Sequence, residues 1–244
     1  AVLQAIYADH LDYHKDFEEY KNAKLNITKF QTTNDYLICQ TDIATKAKKR
    51  LFSLSDYDPK IKTHLLGNHN RLNILPSIII GKLLGLSQEK IYSAISTFQP
   101  LETRLQNYGT FKDITFYADT LATIPEATIA AIDTLNASTL IAGGHDRHQD
   151  YTQLAQKIIS SSISTLILFP VTGKFIKSSL LLASKGDSLK ESPEIFSVNS
   201  MEEAVSLAFR HTPLGKICLL SPAAPSFTLF KDYRDEAQQY QQQI

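Results

Sequence analysis

Short apolar runs and longer amphipathic stretches alternate regularly along the second part of the chain. The short runs are rich in Ile and Leu and predict strands, whereas the longer stretches repeat apolar residues at helical spacing. This alternation predicts an α/β fold, a Rossmann-like, doubly wound and mainly parallel sheet with helices on both faces. Predicted strands lie near 114–118, 138–143, 165–169, 194–198 and 216–220, and predicted helices near 126–135, 150–161, 173–184, 200–209 and 228–241.

The first part of the chain has a less regular pattern. Apolar runs at 1–7, 35–40 and 50–54 predict strands, and a helix is predicted from about 87 to 98. After that helix comes Pro100, and a new pattern starts. We therefore predict a domain boundary that separates residues 1–98 from 99–244.

Composition excludes several classes of protein. The 244 residues are 43% hydrophobic and carry 25 basic and 25 acidic side chains, without a dense basic block that would indicate nucleic acid or an anionic membrane as partner. No apolar stretch approaches the roughly 18 residues of a membrane span. Two cysteines, Cys39 and Cys218, lie in strand-like apolar runs. We expect buried free thiols and a cytoplasmic, monomeric protein.

Polar residues follow three predicted strands of the second domain. Asp119 and Thr123 follow 114–118, Arg147 lies in a Gly-Gly loop after 138–143, and Ser226 follows 216–220. Because parallel strands end at one edge of a sheet, these loops are expected to converge on a ligand. The alternative is local: Asp119 can form an Asx-turn, and Thr123 and Ser226 can cap helices.

Candidate residues in the first domain are also open to two interpretations. His10 and His14 stand four apart, which alone is weak evidence for a metal. Lys24 lies on the apolar face of a predicted helix, where its stem can cover the core or its amine can be chemically recruited. Asn70 and Asn73 share a helix face and can bind a planar ligand such as a purine, or remain exposed amides.

Taken in order, these motifs resemble the Mur ligase family, and most closely its members that add D-glutamate to UDP-N-acetylmuramoyl-L-alanine in peptidoglycan synthesis. The resemblance implies an ATP-dependent amide-bond ligase, which phosphorylates the substrate carboxylate and lets the amine of D-glutamate attack the acyl phosphate. The motifs cover nearly the whole chain, at 9–14, 20–24, 67–73, 119–128, 143–147 and 220–226.

The resemblance also implies roles for individual residues and for the cofactors ATP and Mg²⁺. His10 and Lys24 are the implied catalytic residues, because they support magnesium, Lys24 after carbamylation by carbon dioxide. The remaining implied contacts are Asn70, Asn73, Arg104 and Asp119 for the nucleotide, and Thr123, Arg147, Ser226 and Tyr233 for D-glutamate.

The chain departs from the family pattern at several points. No G-x-x-x-x-G-K-[ST] phosphate loop occurs, and residues 172–174, Thr-Gly-Lys, match only part of this motif. In the family that loop lies upstream, so we expect residues 1–98 to be part of a central ATP-binding domain without its phosphate loop. We expect 99–244 to be the amino-acid-binding C-terminal domain, and the chain to be a fragment that is inactive alone. Thr103, Ala118, Thr228 and Glu236 replace a usual histidine, asparagine, aspartate and arginine.

Two alternative functions stay open at this point. The departures at Thr103 and Glu236 favour a non-catalytic module that retains the amino-acid and nucleotide sites. A related Mur-type ligase for another amino acid is the other alternative. The stretch 119–128 resembles the D-glutamate ligases, and no DNPR-type loop for diaminopimelate or lysine is present.

Overall fold

The computed structural model describes residues 1–184 and 192–244. The chain divides into two units, unit 1 from Ala1 to Pro100 and unit 2 from Leu101 to Ile244. No helix in these described ranges is both long and apolar enough to cross a bilayer. Cys39 and Cys218 are both buried and unpaired.

Unit 1 contains a small parallel sheet with strand order β1-β2-β3. Its first strand is much shorter than the predicted 1–7, and its third strand begins two residues earlier than expected. Short 3₁₀ turns follow the first helix and the third strand. The elements are β1 (Val2–Leu3), α1 (Phe17–Leu25), β2 (Tyr36–Cys39), β3 (Lys48–Leu51), α2 (Asn68–Leu83) and α3 (Gln88–Thr97).

The central strand β2 supplies both apolar clusters of unit 1, because successive side chains point to opposite faces of a sheet. Ile38 packs with α2 and α3, for example against Ile74 and Ile91. Leu37 and Cys39 belong to a second, smaller cluster. Helix α1 contributes no buried residue to either cluster.

Unit 2 is a three-layered α/β domain with strand order β4-β5-β9-β6-β7-β8. All its strand pairs are parallel except β4 with β5. The predicted α/β class and mainly parallel sheet are therefore confirmed. The elements are β4 (Gln106–Phe111), β5 (Ile114–Ala118), α4 (Pro125–Leu135), β6 (Thr139–Ala142), α5 (Thr152–Ser160), β7 (Thr165–Leu168), α6 (Gly173–Ala183), β8 (Glu194–Ser197), α7 (Met201–His211), β9 (Ile217–Leu220) and α8 (Tyr233–Gln243).

The continuous apolar runs of unit 2 are explained by burial of the sheet on both faces. Leu140 and Ala142 face one cluster with α4, α5 and α6. Ile141, between them, faces the opposite cluster, which contains Met201 of α7 and Tyr240 of α8. Strand β9 lies between β5 and β6, and the helix that follows it packs on the face opposite α4 and α5. This reversal creates a topological switch point, where open α/β sheets bind ligands.

Two elements differ from the sequence prediction. Strand β4 was not expected, because its residues are mostly polar and partly exposed; it pairs antiparallel with β5 through a tight turn in which Lys112 and Asp113 have φ of 48° and 62°. Helix α8 starts at Tyr233 and not near 228. Asp232 caps it, because its side chain accepts hydrogen bonds from the backbone N–H of Arg234 and Asp235.

Candidate functional site

The loops after β5, β9 and β6 are hydrogen-bonded to one another at the carboxyl edge of the sheet of unit 2. The backbone N–H of Asp119 donates to the carbonyl of Leu220 at 2.8 Å. The N–H of Gly143 donates to Pro222 at 2.8 Å, and that of His145 to Pro225 at 2.7 Å. The structure thus brings the loops that carry Asp119, Arg147 and Ser226 side by side.

Glycine is required where the β6 loop passes its neighbours. A Cβ on Gly143, whose φ is 116°, would lie 2.4 Å from the carbonyl oxygen of Phe169. A Cβ on Gly144 would lie 2.4 Å from the carbonyl oxygen of Pro225. The two glycines therefore permit a backbone approach that any side chain would prevent.

Asp119 is the most strongly perturbed of the candidate residues. It is 4% exposed, and burial raises its pKa to about 6. The charge of Arg104, the backbone N–H of Leu105 and the hydroxyl of Ser221 oppose this rise by stabilising the carboxylate. A carboxyl group that titrates near neutrality at a sheet edge is typical of functional sites.

Ser221 and Thr128 support Asp119 and were not singled out from the sequence. The Ser221 hydroxyl lies 2.9 Å from Thr128 Oγ1 and 3.4 Å from Asp119 Oδ2. Thr128 Oγ1 also donates to the carbonyl of Ser221 at 3.2 Å. The only sequence signal was that both residues lie inside the motif stretches 119–128 and 220–226.

The helix-capping alternatives for Thr123 and Ser226 are wrong. Helix α4 begins after Ile124, without a side-chain cap, and Pro125 occupies its first turn as predicted. Helix α8 is capped by Asp232, six residues after Ser226. Thr123 is partly buried and Ser226 is 5% exposed. Their hydroxyls thus do not cap the helices that follow them.

Arg147 and Tyr233 complete the group at this edge. Arg147 is partly buried in the loop after β6. Tyr233 is partly buried as the first residue of α8, and its carbonyl accepts a hydrogen bond from Thr120 Oγ1 at 2.9 Å. The first turn of α8 is therefore attached to the loop after β5.

A separate open groove of about 320 Å³ lies beside the β6 loop. None of the predicted site residues lines it, although it borders the segment that contains Arg147. Its walls combine two aspartates with apolar side chains of α6. The lining residues are Asp146, His148, Gln149, Asp150, Tyr151, Phe175, Ser178, Ser179 and Leu182.

In unit 1, His10 and Lys24 both lie beside the ring of Tyr20. The ring centroids of His10 and Tyr20 are 6.2 Å apart, and Lys24 Nζ is 5.2 Å from the Tyr20 centroid. His10 has φ of 54°, and its Nε2 is 3.5 Å from Asp9 Oδ2. Lys24 is exposed on α1, so the interpretation that its stem covers the core is wrong.

These residues would provide only part of a metal coordination sphere. Within the described ranges, no group of three or more His, Cys, Asp or Glu side chains is arranged to hold a metal ion. Magnesium commonly keeps several waters and binds substrate phosphates, so a few protein ligands can suffice. His10 and the unmodified Lys24 contact the same Tyr20 ring, and these contacts themselves supply no metal ligand.

Asn70 and Asn73 share one face of α2, as their spacing indicated. Asn73 Nδ2 donates to Asn70 Oδ1 at 3.3 Å, and Asn70 Nδ2 donates to the carbonyl of Leu66 at 2.8 Å. The helix is entered through Gly67, whose φ of 88° suits only glycine well. The pair forms a short polar row, with Asn73 exposed.

The departures from the family pattern lie at buried or partly buried positions of unit 2. Thr103 Oγ1 and Thr228 Oγ1 are buried atoms without a hydrogen bond in the described structure. Glu236 is fully buried, and neither of its carboxylate oxygens is hydrogen-bonded to a described residue. Burial, followed by the neighbouring charge of Asp235, raises the pKa of Glu236 well above its ordinary value. Ala118 ends β5 and is fully buried.

Comparison with known proteins supports the motif pattern. Residues 1–51 match the Mur ligase middle domain. The chain is 30% identical to the UDP-N-acetylmuramoylalanine–D-glutamate ligase of Aquifex aeolicus over 97% of its own length, and 34% identical to that of Lactobacillus acidophilus over 96%. It spans 59% and 56% of the lengths of these two relatives.

A solved structure has the same fold. The MurF ligase of Thermotoga maritima, solved in complex with ADP, matches with a TM-score of 0.69 and 13% identity. The match covers all of this chain and 61% of that one. At this identity the likeness concerns the fold.

Proposed function

Since this chain belongs to the Mur ligase family, we propose that it forms the C-terminal part of an ATP-dependent ligase of peptidoglycan synthesis. The ligase joins D-glutamate to UDP-N-acetylmuramoyl-L-alanine through an acyl phosphate. The observation that carries the proposal is the set of hydrogen bonds that joins the loops after β5, β6 and β9 at the switch point of the sheet. These loops carry the motifs in which the chain resembles the D-glutamate ligases.

The loops of unit 2 offer the chemistry that D-glutamate needs. The guanidinium of Arg147 can bind a carboxylate in two-pronged geometry. The hydroxyls of Thr123 and Ser226 can donate hydrogen bonds to the second carboxylate, and neither caps a helix. Tyr233 would close the pocket with its ring. Together these residues would hold the amino acid and orient its amine for attack.

Arg104 and Asp119 are the proposed nucleotide contacts of unit 2. Arg104 is exposed and would bind phosphate oxygens, whereas the buried carboxyl of Asp119 would accept a hydrogen bond from a ribose hydroxyl. In unit 1, Asn70 and Asn73 would bind the adenine with their amide groups.

His10 and Lys24 are the proposed magnesium-supporting residues. Lys24 is exposed, so carbon dioxide can reach its amine, and the resulting carbamate would exchange a cation for an anion. Magnesium, when bound, would neutralise charge on the transferred phosphoryl group. The 244 residues contain no phosphate-loop motif, so we propose that this chain alone does not hydrolyse ATP at ligase rates.

Calorimetric titration with D-glutamate tests this function. We expect saturable binding of D-glutamate, weaker binding of L-glutamate, and a loss of about tenfold or more in affinity on Arg147→Ala. Arg210→Ala removes the same side chain from the exposed surface of α7 and should leave the affinity unchanged. Equal affinities of the parent chain and Arg147→Ala, or no binding by the parent, would contradict the proposal.

A non-catalytic binding module is the second candidate, and one observation favours it. Glu236, where the family has arginine, is a fully buried carboxyl without a hydrogen-bonding partner in the described structure. Such a group weakens the packing of α8 next to the proposed pocket. Normal D-glutamate binding, with no amide formation after this chain is joined to a phosphate-loop half, would favour the module. A parallel titration with other amino acids would identify a ligase of different specificity.

A further inference from the structure

The first turn of α8 is hydrogen-bonded from two directions. Within its own segment, Asp232 Oδ1 accepts hydrogen bonds from the N–H of Arg234 at 2.8 Å and of Asp235 at 2.9 Å. From the loop after β5, 113 positions earlier in the chain, Thr120 Oγ1 donates to the carbonyl of Tyr233 at 2.9 Å. The local bonds start the helix, and the distant one determines where its first residue lies on the sheet.

Thr120 is itself well fixed. It is 1% exposed, and its β-branched side chain has few rotamers. The residue before it is bound to β9, because the N–H of Asp119 donates to Leu220 at 2.8 Å. The next turn is closed by the N–H of Ala122, which donates to the carbonyl of Asp119 at 2.9 Å. The hydroxyl of Thr120 is thus a donor at a defined position.

Further along α8, the attachment to the sheet is uneven. Tyr240 is fully buried, and its hydroxyl lies 3.5 Å from the carbonyl oxygen of Cys218. Glu236, at the end of the first turn, is a buried carboxyl with neither oxygen hydrogen-bonded to a described residue. This buried carboxyl weakens the docking of the first turn on the sheet. Because the packing around Glu236 is weak, the position of Tyr233 depends more strongly on the hydrogen bond from Thr120.

We propose that Thr120 is a positioning residue for the amino-acid pocket, which it serves by holding Tyr233 against the loop that carries Asp119 and Thr123. This inference rests on the proposed function, in which Tyr233 lines the D-glutamate site. Thr120 itself would not touch the amino acid. It acts through the carbonyl of Tyr233, because the position of the Tyr233 ring depends on the position of the first turn of α8.

Two substitutions of Thr120 separate positioning from general stability. Thr120→Val keeps the shape and removes the hydroxyl, whereas Thr120→Ser keeps the hydroxyl. The first readout is the ¹⁹F resonance of fluorotyrosine at position 233, assigned with Tyr233→Phe and compared with that of Tyr117 on β5. The second is the Kd for D-glutamate of the complete chain.

We expect Thr120→Val to shift the Tyr233 resonance, to leave that of Tyr117 unchanged, and to raise the Kd for D-glutamate by about fivefold, the effect of one lost hydrogen bond. Thr120→Ser should restore both readouts to within about twofold of the parent. A general loss of folding would alter Tyr117 as well and would not depend on the hydroxyl.

The outcomes distinguish this inference from the function on which it rests. Normal D-glutamate binding by both the parent and Thr120→Val would overturn the positioning role alone. Failure of the parent chain to bind D-glutamate would contradict the proposed function, and with it the pocket role of Thr120. An unchanged Tyr233 resonance in Thr120→Val would overturn the inference whatever the amino acid does.

Discussion

The two units hold their proposed ligand-binding residues in different ways. In unit 2, Asp119 and Ser226 are no more than 5% exposed, and their loops are joined by backbone hydrogen bonds. In unit 1, His10 and Lys24 are exposed, and α1, which carries Lys24, has no buried residue. Groups fixed by packing are preorganised for binding, whereas exposed groups become fixed only when a ligand orders them. We therefore expect the proposed amino-acid site to be preformed, and the proposed metal-supporting residues to become ordered only on binding.

Substitution of a loop glycine should have the largest effect. Gly144→Ala places a Cβ 2.4 Å from the carbonyl oxygen of Pro225, so we expect the free energy of unfolding to fall by about 3–4 kcal/mol. Lys24→Ala, on the exposed helix of unit 1, should change it by less than about 0.5 kcal/mol. Urea denaturation of both variants measures the two changes in free energy of unfolding. Similar changes in the two variants would contradict the difference between the units.

The buried carboxyl of Asp119 should produce the next largest effect, as a dependence on pH. Its folded pKa of about 6 exceeds the roughly 3.9 of an unfolded aspartate, so the folded state holds the proton more tightly. Stability that is present below pH 4 is therefore lost as the pH rises to about 6, by roughly 3 kcal/mol. Asp119→Asn should lack this decline. The free energy of unfolding of the parent and of Asp119→Asn is measured by urea denaturation at several pH values. If the two change equally between pH 4 and 7, Asp119 has an ordinary pKa.

Replacement of Glu236 should stabilise unit 2. Glu236→Leu removes a buried carboxyl without a partner, and we expect a gain of about 2 kcal/mol at pH 5. Because the folded pKa is raised, the parent loses stability as the pH rises above the unfolded value, and the advantage of the variant should grow.

Glu236→Gln is the matched control, because it keeps a polar group and removes the charge. It should be close to the parent at pH 5 and more stable than the parent at pH 9, as measured by thermal unfolding. If Glu236→Leu is less stable than the parent at both pH values, Glu236 has a hydrogen-bonding partner in solution.

The smallest effect is expected from Ser221. Ser221→Ala removes the hydroxyl that lies between Thr128 and Asp119, at a cost of about 1 kcal/mol. It also removes a hydrogen bond to the carboxylate, so the pKa of Asp119 should rise further. An NMR titration of the Asp119 side chain measures this shift, and a pKa that stays constant or falls would exclude the support role of Ser221.

The sequence predicted the layered architecture of unit 2 because the strands β6, β7 and β9 are largely continuous apolar runs. It did not predict β4, whose polar residues and Gly109 lack a strand pattern, and it placed the start of α8 near 228 because Ser226 resembled a cap as much as Asp232 does. The loops that carry the candidate residues followed from strand positions alone. The bonds between Ser221 and Thr128, 93 positions apart, depend on tertiary structure and leave no local pattern.

An NMR titration of the isotopically labelled chain with D-glutamate tests whether the amino acid binds at the carboxyl edge of the sheet of unit 2. We expect saturable shifts confined to the loops after β5, β6 and β9 and to the first turn of α8, with little change in unit 1 and weaker shifts from L-glutamate. If D-glutamate causes no shifts at all, binding at this site is contradicted. Shifts confined to the separate groove of Asp150, Phe175 and Leu182 would contradict it as well.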